Sequence, residues 1–116
     1  MGVLGEKRYD NLIVGGEITT DSGVLVSGQK LTRGAVLGKI TTSGKLTLSD
    51  DGASDGSETP YAILNEDVDA TAGDKSCAIL LGGEVNSNAL TFGGAHTAQN
   101  TKDTLRGLGI FLKTSV

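Results

Sequence analysis

Tryptophan is absent from this chain, and its only large rings are Tyr9, Tyr61, Phe92 and Phe111. Aromatic side chains usually dominate cores and ligand pockets. Four scattered along 116 residues offer no stacking platform for a sugar or a base. A single cysteine excludes an internal disulfide, and Cys77 opens the apolar run Cys77-Ala78-Ile79-Leu80-Leu81, where a buried thiol is expected. A reactive thiol would want cationic neighbours, and only Lys75 is near. No apolar run approaches the roughly 20 residues of a membrane span, and the N-terminus lacks the apolar core of a secretion signal. The expectation is therefore a soluble protein made in the cytoplasm. A basic stripe is missing too. The ten Lys and Arg stand singly apart from Lys7-Arg8, and the net charge is −4, so direct binding of nucleic acid is not expected.

Glycine is what the chain has in excess: 18 of 116 residues, about twice the usual share. With one proline and no low-complexity tract, these glycines fall between short apolar runs and mark tight turns. That pattern predicts one mainly β domain. So small a chain has a thin core, and association with further copies would bury more surface.

Residues 1–14 read as a flexible N-terminal arm and 15–116 as a single β-rich domain. The arm carries mixed charges, Tyr9, and the apolar triplet Leu12-Ile13-Val14 ahead of Gly15-Gly16. Strands are predicted around Val24–Val26, Ala35–Ile40, Lys45–Leu48, Tyr61–Leu64, Ser76–Leu81, Ala89–Phe92 and Ile110–Leu112. Thr42-Ser43-Gly44 supplies a hairpin turn with glycine where φ must be positive. One short C-terminal helix is predicted over Thr97–Arg106, with Asn100 as its N-cap, Gly107 as its stop, and Leu105 and Leu108 packing it down. The segment Ile13-Val14-Gly15-Gly16-Glu17-Ile18 echoes Leu80-Leu81-Gly82-Gly83-Glu84-Val85, a reused turn type or a coincidence rather than a duplication.

The strongest charge feature is a run of eight carboxylates between Asp50 and Asp74 with no Lys or Arg before position 75. An EF-hand aligned at Asp51 places Asp55 and Gly56 correctly, but Ala53 and Ala62 occupy ligand positions, so that motif fails. A catalytic carboxylate pair needs a pocket that raises one pKa, which a Gly/Ser-rich loop does not offer. A solvated face is the favoured reading. His96 has no partner at metal spacing and reads as a surface or capping residue. No Gly-x-Ser-x-Gly occurs, and the paired glycines lack the lysine of a phosphate loop. No catalytic residue, metal ligand or cofactor site is predicted, and the enzyme class falls.

The run Ser27-Gly28-Gln29-Lys30-Leu31-Thr32-Arg33-Gly34-Ala35-Val36-Leu37-Gly38 resembles the signature of the phage head decoration proteins, the family typified by the small outer head protein of phage lambda. Pro60-Tyr61-Ala62-Ile63-Leu64 is similar to a later strand of that family, with Ala62 where glycine is frequent. Ala78 through Asn86 resembles the next one, and a closing helix followed by Gly109-Ile110-Phe111-Leu112 matches how such chains end. The resemblance implies a bent β-ribbon, β-clip-like or partial-barrel fold and no cofactor. It also implies a homotrimer on the outer surface of the virion, seated at three-fold sites of the expanded head. There it would bind the major capsid protein and hold the shell against packaged DNA. The arm before Gly15 has no match in that pattern. From its residues, Tyr9, Leu12, Ile13 and Val14 are expected to contact the capsid, the triplet by adding a strand to a sheet edge. A calcium- or carbohydrate-binding β module and a phage tail or baseplate domain are the alternatives.

Overall fold

The computed structural model describes residues 12–113. The described residues are mainly strand with one short helix, as the glycine-punctuated apolar runs predict. In order come β1 (Ile13–Leu25), β2 (Lys30–Leu31), β3 (Val36–Lys39), β4 (Leu46–Leu48), β5 (Pro60–Leu64), β6 (Val68–Asp69), β7 (Lys75–Asn86), a 3₁₀ turn (Ser87–Ala89), α1 (Ala98–Leu108) and β8 (Ile110–Lys113). Six strands form a mixed sheet in the order β1-β4-β3-β5-β7-β8, and β1 also pairs with β7. The result is a partial ring rather than a closed barrel. β2 and β6 make a separate two-stranded ribbon.

The hairpin forms as expected. β3 and β4 pair antiparallel with Leu37 opposite Leu48 and Lys39 opposite Leu46, across a turn in which Gly44 has φ 74°. The central strands explain their own unbroken apolar sequence, because both of their faces are buried. Leu37, Ala62, Leu64 and Ile79 point into one cluster with Leu25, Leu46 and Cys77. Their chain neighbours Val36, Ile63 and Leu80 point into a second cluster, completed by Leu12, Val85, Leu105, Ile110 and Leu112. The ring encloses the first cluster. The helix covers the second.

The run that carries the family resemblance has a steric reason for its last glycine. A Cβ on Gly38 would run into the carbonyl of Ser57, so any side chain there would push the acidic loop off the sheet. Arg33 fastens the other end of the run. Its backbone N–H donates to Asp67 Oδ1 at 2.8 Å, and its Nε donates to the Asn65 carbonyl at 3.2 Å and to Asn65 Oδ1 at 3.1 Å.

Several expectations are corrected. β1 is far longer than the predicted Val24–Val26 strand, running thirteen residues antiparallel to β7. It contains the first half of the sequence echo and β7 contains the second, so the two similar segments face each other: Ile13 opposes Val85 and Gly15 opposes Glu84. Between Gly15/Glu84 and Thr19/Gly82 the register slips, which makes a bulge in β1. Ala89–Phe92 is no strand. It is a 3₁₀ turn followed by isolated bridges from Thr91 to Ala35 and from Gly93 to Asp50. The helix is capped by Thr97, not Asn100; Asn100 is the third helical residue and closes a capping box, each side chain accepting from the other's backbone N–H. The helix stops at Gly109, whose φ of 96° suits glycine best, while Gly107 is helical. Leu105 is fully buried, whereas Leu108 is 44% exposed.

Candidate functional site

The acidic segment was expected to be a solvated face, and most of it is exposed, but each of its eight carboxylates also accepts a hydrogen bond from the chain. Asp50 takes the N–H of Gly52, Asp55 that of Ser57, Glu58 that of Gly56 and Asp69 that of Thr71. These are local turns in which an acidic side chain stands in for a backbone acceptor. The remaining four reach farther. Asp51 accepts from Ala95, Glu66 from Ala78, Asp67 from Arg33, and Asp74 from Ser27. Lys45 also pairs with Asp74 at 2.7 Å. The hydroxyl and N–H of Ser57 hold Asp55 below the usual carboxylate range, and Thr71 does the same for Asp69. Asp74 is lowered by Lys45 and by the N–H of Ser27. Among the described residues no three His, Cys, Asp or Glu side chains gather as a metal site.

His96 has a structural task that its sequence context did not disclose. Its Nε2 lies 2.8 Å from the Glu58 carbonyl and 3.2 Å from Ser49 Oγ. Because a carbonyl can only accept, Nε2 carries the proton in this arrangement. The buried Ser49 hydroxyl donates in turn to the Ser57 carbonyl at 2.8 Å. The ring thus ties the acidic loop to the approach of α1. Cys77 is buried, as expected, and burial followed by the nearby Glu66 carboxylate raises its thiol pKa. That disfavours the thiolate needed for reaction.

Of the four residues expected to contact a capsid, Tyr9 lies outside the described residues. The triplet is not a free strand. Leu12 is 2% exposed within the second core cluster, and its carbonyl accepts the N–H of Asn86. Ile13 already opposes Val85. Only Val14 turns outward, at 41% exposure. Leu12 thus packs in the domain's own core, and Ile13 belongs to the long β1 strand.

What the sequence reading missed is the outward apolar set. Ile18 and Val24 on β1, Leu108 at the end of α1 and Phe111 on β8 are all exposed. The signal was present in β8: Ile110 and Leu112 point inward, so the ring between them has to point out. Glu84 is Phe111's register partner on β7 and Gly15's on the other side. These three residues thus form one row across the ribbon.

The described residues thus form a small β-rich domain with outward apolar side chains on β1, at the end of α1 and on β8. Residues 5–111 match the family described as bacteriophage lambda head decoration protein D, and the chain belongs to that family. No curated protein matches it. The family is a structural one, and membership makes the chain a phage head decoration protein that binds the capsid of the virion.

Proposed function

We propose that the chain seats as homotrimers on the outer surface of the expanded head, at its three-fold sites, where it contacts the major capsid protein. There it stabilises the shell against the outward pressure of packaged DNA. The family match across residues 5–111 carries this reading. The physical logic supports it: a ligand that binds only the expanded shell stabilises that state by mass action, and three linked contacts reach an avidity none has alone. The capsid contact lies at the N-terminal side of the domain. Tyr9, Ile13 and Val14 supply that contact, Val14 being exposed and Leu12 buried in the domain's own core.

The test is co-sedimentation of the full chain, and of a chain lacking residues 1–11, with expanded and unexpanded heads. The full chain is expected to sediment with expanded heads only, and the shortened chain to stay in the supernatant with its circular dichroism unchanged. Equal binding of both chains would remove the N-terminal contact. Failure of the full chain to bind expanded heads would remove the whole reading.

A further inference from the structure

Two strand edges of the sheet lack a hydrogen-bonded neighbour among the described residues. β1 pairs with β7 on one side and, on the other, meets β4 only at Leu25. β8 pairs with β7 alone. Open edges are ordinarily blunted by charge, proline or cover. These two carry charge and also exposed apolar residues, Val14 and Ile18 along β1 and Leu108 and Phe111 at β8.

The charges beside the two edges are opposite. From Leu12 to Gln29 the ionisable residues are Glu17 and Asp21, a net −2. From Ala98 to Lys113 they are Lys102, Asp103, Arg106 and Lys113, three cations less one anion, a net +2. Asp103 engages Arg106 at 3.3 Å, and both remain largely exposed. Between α1 and β8 run two clefts of about 260 Å³ each that share Lys102 and Leu112, so the β8 edge lies along a basic groove. Topology adds direction. β1 is antiparallel to β7 and β8 is parallel to it, on the opposite side. A rotation about an axis along the strands would bring β8 of one copy beside β1 of the next, again antiparallel.

We propose that these edges are the two halves of one contact between copies of this chain: the β8 edge and α1 groove of one copy receive the β1 edge, Glu17–Asp21, of the next. The contact is heterologous, so it closes into a ring when the rotation closes, and three copies would join their β1-β7-β8 ribbons. Apolar side chains supply the adhesion, and the opposite charges set which edge meets which. Strand addition ends at Ser22, whose N–H is already taken by the Asp21 carboxylate at 2.8 Å. This inference rests on the trimeric reading above and names its interface.

The test uses full-length chains on expanded heads. Ile18→Cys and Phe111→Cys are made singly and together, and a short thiol-to-thiol cross-linker is applied after decoration; Cys77 is buried and does not compete. The doubly substituted chain is expected to give linked species of two and three chains. A mixture of the two single variants is expected to give pairs only, and each single variant alone none. Absence of linked species from a doubly substituted chain that still decorates heads overturns the interface and leaves the proposed function standing. Linked pairs from either single variant alone overturn it as well, since they require like edges to meet. If the wild-type chain does not decorate heads, both readings fall together.

Discussion

Replacing Leu105 with alanine tests how the single helix is held. Leu105 is fully buried in the cluster of Val36, Ile63, Leu80, Val85, Ile110 and Leu112. The substitution removes three carbon atoms, about 2.4 kcal/mol of transfer free energy at about 0.8 kcal/mol each. The cavity left behind raises the cost to about 3–4 kcal/mol. Leu108, three residues on and 44% exposed, forms no part of either core cluster. Its replacement by alanine should cost well under about 1 kcal/mol. The two leucines share a residue type and a helix, so the comparison isolates burial. An eleven-residue helix is marginal alone, so losing Leu105 should also loosen α1 and the β8 strand it feeds. Urea unfolding followed by circular dichroism measures this. With a slope of about 1.5–2 kcal/mol per molar, the Leu105→Ala midpoint should fall by about 2 M and the Leu108→Ala midpoint by less than about 0.5 M. Equal losses from the two variants would refute the placement of α1 over the second core cluster.

Further expectations follow from single contacts. Thr97→Ala removes the hydroxyl that accepts from Asn100 and should cost about 1 kcal/mol by the same unfolding assay. Gly38→Ala should destabilise far more than Gly107→Ala, since a Cβ at position 38 meets the Ser57 carbonyl and one at 107 meets nothing; thermal melting of the two variants compares them. Asp55, Asp69 and Asp74 have pKa values lowered by folding. Their contribution is therefore present above the unfolded carboxylate range near about 4 and is lost as pH falls through the lowered values. Melting temperature should drop on acidification below about pH 4, and Asp55→Asn should weaken that dependence. Cys77 should resist a thiol reagent at neutral pH in the folded chain and react at once in denaturant, which spectrophotometric titration reads directly.

The strands that bury both faces were legible because continuous apolar runs such as Tyr61–Leu64 and Ser76–Leu81 have few other uses in a chain this rich in glycine. The hairpin at Thr42–Gly44 was legible from its turn residues. β1 was not. Apart from Ile18, its stretch from Gly15 to Gly23 is glycine, threonine, serine and acid, with no alternation, and its extended form depends on a pairing with β7 some sixty residues away. The helix was found but its ends were misplaced, because Thr97 and Asn100 are both capping types and Gly107 precedes Gly109 by two. The carboxylates were read as solvated when their spacing held more information. Asp50 with Gly52, Asp55 with Ser57 and Asp69 with Thr71 each sit two apart, the separation at which an acidic side chain caps a turn. His96 gave no local signal, since its partners lie 38 and 47 positions upstream. The anchoring of Leu12 was likewise hidden, because an apolar triplet beside a charged segment looks the same whether it packs on its own core or on a partner.

Electron cryo-microscopy of expanded heads with and without the chain addresses the central claim most directly. Added density is predicted on the outer surface, as three copies around each local three-fold axis, with Val14 on the side nearest the shell. Heads that gain no such density, or gain it as isolated single copies away from those axes, would contradict the account.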